Sequence, residues 1–279
     1  MLSHTNIMAN TRSICQYLKL TSNDIQMVVL PFFYVMGKSL LNTLFSVGGT
    51  VVLNNKFAFP AAVLTQMVKE SVTLFSGVPS TYAFLLNRSP LDSFKTQLTS
   101  LRCCTQAGGH MASSIKRKLL QTLPAHTELC IMYGATEASA RLTYLEPSQL
   151  LNKIDSIGKP IPGVDIKIMD KNNDVVKTGK VGELVASGKN IMLGYFKDPK
   201  TTQLALGVHG YHTGDQGYMD EDGYIFIKGR KDSLMKVGGH RINPQEIEDA
   251  VLETDLVVES AAIGVTDQLL GMKLVVLVS

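Results

Sequence analysis

Several features that would place a protein quickly are scarce here. Apolar runs are short: a stretch such as 274–278 falls far short of the ~18–20 residues a membrane-crossing helix needs. Charge of one sign is not in excess, with 27 Lys and Arg against 24 Asp and Glu and a net charge of +3. That surplus is too small to argue for a nucleic-acid or membrane-surface partner. The opening MLSHTNIMANTR has no apolar segment behind a basic start, so no secretory leader is expected. Four cysteines (Cys15, Cys103, Cys104, Cys130) show no C-x-x-C spacing and two are adjacent, a poor disulfide framework. Reduced core thiols in a cytoplasmic protein are expected instead. The six histidines form no H-x-x-x-H or H-E-x-x-H metal set. His4, His110 and His240 sit beside motifs but receive no catalytic role, and there is no internal repeat or low-complexity tract.

What is present is enough for a sizeable core. The 279 residues are 45% hydrophobic, which suits one large domain or two smaller ones. The first half alternates two periods. Apolar runs at 27–30, 50–53, 73–75, 101–105 and 129–132 read as buried strands, with helix-like segments at 37–47, 60–70, 79–87 and 111–123 between them. In the last of these, Ile115, Leu119, Leu120 and Leu123 fall on one face, and Lys116, Arg117 and Lys118 are expected mostly on the other. The alternation predicts an α/β fold with a mainly parallel, layered sheet covered by helices.

After Pro147 short β-like pieces (165–169, 182–187, 217–219, 224–228) are separated by Gly- and Asp-rich turns. Asp220-Glu221-Asp222-Gly223 is a hairpin signal, because Gly supplies the positive φ of a tight turn. This predicts a small β-barrel-like subdomain or distorted sheet. Beyond Gly229-Arg230 the pattern changes again: a strand at 234–237, a helix from Pro244 to about Leu252, and strands at 257–265 and 273–278 suggest the start of a small α+β unit. The expected division is 1–231, made of α/β layers (1–150) and a β-rich part (151–231), followed by 232–279.

Three stretches carry chemistry. Tyr133-Gly134-Ala135-Thr136-Glu137 follows the last buried strand, at the carboxyl edge where open α/β sheets place ligands. Tyr can stack on a base, Gly admits close backbone approach, Thr offers a hydroxyl to phosphate and Glu is a hard ligand for Mg²⁺. A strand-to-helix turn with an N-cap Thr would read the same way. His212-Thr213-Gly214-Asp215 sets a carboxylate beside a Gly turn, suited to both hydroxyls of a ribose, although an Asx-turn between strands is equally compatible. In the stretch from Gly229 to Ile242, the cations Arg230, Lys236 and Arg241 suit phosphate, and Gly238-Gly239 leaves room for a narrow ligand. The alternative there is a solvated basic linker.

Order and company single these out. Together they resemble the adenylate-forming (AMP-dependent synthetase and ligase) superfamily of acyl-CoA synthetases, peptide-synthetase adenylation domains and luciferases, closest in style to the first. The resemblance covers nearly the whole chain. Met1-Leu2-Ser3-His4-Thr5-Asn6 is similar to the segment after the family's phosphate loop. Leu30-Pro31-Phe32-Phe33 is similar to L-P-x-F, with Tyr34 where many members carry His. Gly77-Val78-Pro79-Ser80, Ala107-Gly108-Gly109 and Y-G-x-T-E follow. Gly182-Glu183-Leu184, Gly188 and Met192-Leu193-Gly194-Tyr195 come next, then T-G-D, G-R-x-D and Pro244-Gln245-Glu246-Ile247-Glu248.

The resemblance implies a role for each residue. Gly108 and Gly109 would border adenine, with Tyr133 stacking on it beside Gly134. Thr136 would touch the α-phosphate, and Glu137 would hold Mg²⁺. Asp215, helped by Arg230, would bind the ribose hydroxyls. Asp232 matches the hinge of a mobile C-terminal domain, Lys236 and Arg241 its phosphate contacts, and Gly239 its thiol-arm channel. The implied reaction joins a small carboxylic acid to a thiol through acyl-AMP. Its co-substrates would be ATP, Mg²⁺ and coenzyme A, with a carrier-protein thiol or a non-catalytic adenylate-binding module as alternatives.

Two parts of the family pattern are expected outside this sequence: the phosphate loop ahead of Met1 and a catalytic Lys beyond Ser279. A fragment lacking such a preorganised donor would lose about 10²–10³ in adenylation rate. Residues 31–47 contain no Asp or Glu to pair a substrate ammonium, which disfavours an α-amino acid. The candidate lining (Phe33, Tyr34, Met36, Val78, Met132, Ala135) suggests an acid with an uncharged tail.

Overall fold

The computed structural model describes residues 1–230, 235–237, 240–267 and 271–279. In chain order the first part comprises α1 (His4–Tyr17), β1 (Ile25–Val28), α2 (Val35–Ser46), β2 (Thr50–Leu53), α3 (Pro60–Lys69), β3 (Leu74–Gly77) and α4 (Pro79–Arg88). There follow α5 (Leu91–Phe94), β4 (Cys103–Gln106), α6 (Ser113–Thr122), β5 (Glu128–Tyr133), β6 (Thr143–Leu145) and β7 (Lys159–Pro160). They build a seven-stranded sheet of order β2-β1-β3-β4-β5-β6-β7. The first five strands run parallel and the last two antiparallel. Every residue of β3 and β4, in the middle of the sheet, is buried, as parallel strands covered by helices on both faces are, whereas the edge strand β2 is partly exposed. Proline at the first turn of α3 and of α4 starts each helix where a missing N–H costs nothing. The largest core cluster, including Met27, Leu64, Phe75, Tyr82, Leu119 and Leu129, lies between this sheet and its helices.

One helix goes unannounced by the sequence pattern, and one expectation changes. Helix α1 has no apolar stripe to announce it; its buried positions are Asn6, Asn10, Thr11, Ser13 and Ile14. It is defined instead by a reciprocal cap, in which Ser3 Oγ accepts from the Asn6 amide at 3.1 Å and Asn6 Oδ1 from the Ser3 amide at 2.8 Å. On α6, Arg117 and Lys118 face solvent as expected, but Lys116 is only 3% exposed. Its ammonium donates to the Ile154 carbonyl at 2.5 Å. Burial pushes that ammonium down to about 8, against the favourable charges of Asp155 and Asp249. The period places Lys116 with Leu119 on the inner face, and the long stem can carry its charge to a carbonyl.

The second part contains β8 (Val164–Met169), β9 (Gly182–Gly188), α7 (Pro199–Ala205), β10 (Leu206–Gly207), β11 (Gly210–Met219) and β12 (Ile225–Arg230). They form a five-stranded antiparallel sheet, distorted by register shifts within β11 between His212 and Gln216 and between Gln216 and Gly217. The 220–223 turn joins β11 to β12, with Gly223 at φ 83°. Leu142, Ile166, Ile168, Leu184 and Ile225 pack this sheet onto the first part.

The last elements are β13 (Met235–Val237), β14 (His240–Ile242), α8 (Pro244–Leu252), β15 (Ser260–Asp267) and β16 (Gly271–Val278). Two antiparallel pairs, β13 with β14 and β15 with β16, flank a helix that begins at Pro244 after an Asn243 cap. The α/β class and the three successive textures stand as the sequence pattern indicates, with boundaries shifted by a few residues. Among the described residues no helix is long and apolar enough to cross a membrane. The cysteines are free thiols, Cys15 half-buried and the others buried.

Candidate functional site

The strand order β2-β1-β3 reverses the chain's direction of winding at β1 and β3, and the crevice outside the carboxyl ends of such strands is where open α/β sheets bind ligands. A cavity of about 380 Å³ lies there. Its walls include Leu30 and Pro31 after β1, Val78 after β3, Ala107 and Gly108 after β4, and Gly134, Ala135 and Thr136 after β5. Tyr34, Val35, Met36 and Gly37 close it from the start of α2, and Ala140 and Arg141 from the loop before β6. Of the expected acyl-pocket residues, Tyr34, Met36, Val78 and Ala135 line the cavity. Phe33 instead faces solvent at 82% exposure, and Met132 turns into the core, where its sulfur accepts from the Tyr17 hydroxyl at 3.0 Å.

Two glycines are required by geometry. Gly108 sits at φ 86°, a left-handed conformation costly for other residues. A side-chain carbon on Gly134 would lie 2.0 Å from the Ala140 carbonyl oxygen, so the strand end and the returning loop can meet only without one. That loop is itself strained, with Ser139 at φ 58° and Ala140 at φ 114°. Polar side chains hold it. Asn190 Nδ2 donates to the Ala138 and Arg141 carbonyls at 3.1 Å each, Asn10 Nδ2 to Arg141 at 2.8 Å, and Ser139 Oγ to Asn190 at 2.8 Å.

At the rim the two sheets meet. The Tyr133 hydroxyl donates to Asp215 Oδ2 at 2.5 Å, and Arg230 Nε lies 3.4 Å from Asp215 Oδ1. Asp215 and Arg230 face each other across β11 and β12, so strand register pairs the T-G-D and G-R motifs. Burial pushes the Asp215 carboxyl above its ordinary range, partly countered by the Tyr133 hydrogen bond and the Arg230 charge. Burial and the adjoining carboxylate drive the Tyr133 phenol well up, so it stays protonated as the donor. Thr136 is exposed at the cavity mouth. Glu137 is half-buried, and its Oε1 accepts from the Tyr195 hydroxyl at 2.7 Å. That phenol is raised to about 12 by burial and by Glu137. Among the described residues no group of three or more His, Cys, Asp or Glu could hold a metal by itself. A single carboxylate such as Glu137 nevertheless suits Mg²⁺, which is usually held by one or two carboxylates together with substrate phosphates.

The remaining expected residues are distributed differently. Gly109 does not line the cavity; its carbonyl accepts from Gln106 Nε2 at 2.8 Å. Lys236 and Arg241 are cross-strand partners in β13 and β14. Asp232 and Gly239 lie outside the described residues. A second cavity, about 470 Å³, opens between α4, α6 and the C-terminal elements, where His110 Nε2 lies 3.0 Å from Asp249. Arg141, Asn10 and Asn190 escape a reading by motif, because their neighbours are remote in sequence, and Tyr195, inside the quoted 192–195 stretch, gains a role only from its contact with Glu137.

Comparison with known proteins agrees with this geometry. The family model described as AMP-binding enzyme matches residues 1–196. The chain is 31% identical over 275 residues to a putative acyl-CoA synthetase, YngI, of Bacillus subtilis, covering 97% of this chain and 49% of that protein. It is also 31% identical over 275 residues to a long-chain-fatty-acid–CoA ligase of Bacillus subtilis, covering 97% of this chain and 48% of that protein. The chain thus spans about half the length of the curated relatives it matches. A solved structure of o-succinylbenzoate CoA synthetase (MenE) from Bacillus subtilis, in complex with the acyl-adenylate intermediate OSB-AMP, superposes with a TM-score of 0.86 at 27% identity. That match covers 100% of this chain and 55% of the other.

Proposed function

The chain belongs to the AMP-binding enzyme family, and from that premise we propose that it carries the nucleotide and acid pockets of an AMP-forming acid–thiol ligase. The observation that carries the reading is the Tyr133–Asp215 hydrogen bond, which brings motifs from two separate sheets to one cavity rim. In this reading Asp215 accepts both ribose hydroxyls, steadied by Arg230, and Tyr133 with Gly108, Gly109 and Gly134 frames the adenine. Thr136 touches the α-phosphate, and Glu137 holds Mg²⁺, which would neutralise phosphate charge.

The acid's carboxylate oxygen attacks the α-phosphorus of ATP, and pyrophosphate leaves with the electron pair of the broken P–O bond. A thiolate then attacks the acyl carbon and AMP departs. This chain's residues act chiefly by positioning and by charge. Lys236 and Arg241 are assigned to phosphate and Gly239 to the thiol arm, on a unit 232–279 that turns about Asp232 relative to 1–231. The thiol is taken to be coenzyme A, and a cytoplasmic location suits four free cysteines, three of them buried. The relatives named above act on different acids, so they select none for this chain.

Calorimetry with AMP tests the reading: saturable uptake supports it, and no uptake overturns it. Preformed acyl-AMP offered to coenzyme A and to a carrier-protein thiol in turn identifies the acceptor. Uptake of a non-hydrolysable acyl-AMP analogue, with no transfer from acyl-AMP itself to either thiol, would leave a binding module.

A further inference from the structure

The side chains lining the acid cavity are apolar apart from the Tyr34 phenol, Thr136 at its mouth and Arg141 in its wall, and of these Arg141 alone is charged. Arg141 is only 2% exposed. Its Nη1 donates to the Ala140 carbonyl at 3.1 Å, while its Nε has no hydrogen-bond partner. Among the described residues no carboxylate pairs with it. The ionisable groups that act on it are the Tyr17 phenol and the Cys130 thiol. Burial drives both far above neutrality, so neither supplies a negative charge. A guanidinium does not shed its proton inside a protein. A buried cation without an anion is among the costliest arrangements a fold can hold. Its backbone is nevertheless held by Asn10 and Asn190, which both donate to the Arg141 carbonyl.

We propose that Arg141 is the specificity residue of the acid pocket, and that the acid it takes bears a second carboxylate remote from the reacting one. This rests on the cavity being the acid pocket of the reading above. A carboxylate is the planar anion that a guanidinium fork accepts through two parallel hydrogen bonds, and it would supply the negative charge that the described residues do not. Apolar walls from Met36, Val78 and Ala135 would flank the methylene or aryl spacer. The second carboxylate departs from the uncharged tail suggested by the lining candidates Phe33, Tyr34, Met36, Val78, Met132 and Ala135, because the cation it rests on, after Y-G-x-T-E, is not among them.

The test uses the full chain and pairs of acyl-sulfamoyl-adenosine probes of equal length, one ending in a carboxylate and the other in a methyl group, over spacers of four to eight carbons. AMP alone is titrated first. At the spacer that reaches Arg141, the carboxylate probe is expected to bind about 10–100-fold more tightly than its methyl twin, the range for one charge-assisted contact. In R141M that ratio should fall to about one or invert, and in R141K it should be partly kept. The wild-type ratio is decisive even if R141M does not fold. AMP uptake with equal or methyl-favoured binding at every spacer overturns this proposal and leaves the nucleotide site standing. No uptake of AMP or of either probe removes both.

Discussion

Asp215 is the side chain on which the nucleotide reading depends most directly, and D215A measures that dependence. Its carboxylate is 17% exposed, receives the Tyr133 hydroxyl at 2.5 Å and lies 3.4 Å from Arg230 Nε. A ribose with both hydroxyls donating to it would make two charge-assisted hydrogen bonds, each worth about 1.5–3 kcal/mol. Such bonds are not additive, so a loss of about 2–4 kcal/mol is expected, which weakens AMP by roughly 30- to 1,000-fold. The substitution also strips Tyr133 of its acceptor, a further cost of about 1–3 kcal/mol to folding. Calorimetry with AMP and with 2′,3′-dideoxy-AMP separates the two effects. The wild-type chain should discriminate strongly between these nucleotides, and D215A should bind both equally poorly. AMP affinity in D215A within about twofold of wild type, or wild-type indifference to the ribose hydroxyls, would refute the assignment. The pH profile follows from the same geometry. Burial holds the Asp215 carboxyl above its ordinary range, so AMP affinity should begin to fall on acidification at a higher pH than for an exposed aspartate.

Three further outcomes are expected. G134A would place a carbon 2.0 Å from the Ala140 oxygen, and displacing that backbone should cost about 1–3 kcal/mol or more in denaturant melts and weaken AMP binding together with stability. D24A breaks a pair in which Asp24, its side chain 4% exposed, accepts from Arg102 Nε at 2.7 Å and Nη2 at 2.9 Å. Because Arg102 keeps some solvent contact, a loss of about 3 kcal/mol is expected, the lower end for a buried pair. Burial raises the Asp24 carboxyl, but Arg102, the Thr21 amide and the Thr73 hydroxyl outweigh it and hold it below the usual range. Its stabilisation is therefore present above about pH 4 and lost as pH falls further, and D24A should flatten that limb of the stability curve. Lys116 titrates near 8 when folded and near 10.5 when unfolded, so the unfolded chain binds more protons between those values. Its contribution to stability should rise by roughly 3 kcal/mol from pH 8 to 10.5, a slope that K116M lacks and that therefore appears in the difference between wild type and K116M.

The amino-acid order determined the local alphabet of this protein. Period-2 and continuous apolar runs fall where β1 to β5 lie, prolines fall where α3, α4 and α8 begin, and Gly223 falls where the β11–β12 turn needs it. These are short-range preferences of backbone and side chain, so neighbours in sequence suffice to read them. The motif stretches stand out as candidates for the same reason, because the composition of each suits a phosphate, a ribose or a metal. Tertiary structure decided what those residues meet. Helix α1 forms against polar partners at Lys189, Ile191 and Arg141 that no periodicity could announce. Lys116 goes inward because Ile154 offers a carbonyl, and Arg141, its carbonyl held by Asn10 and Asn190, is buried with no carboxylate partner among the described residues. The meeting of Tyr133 with Asp215, 82 residues apart, depends on how two sheets pack, and packing is a property of surfaces that sequence neighbours do not share.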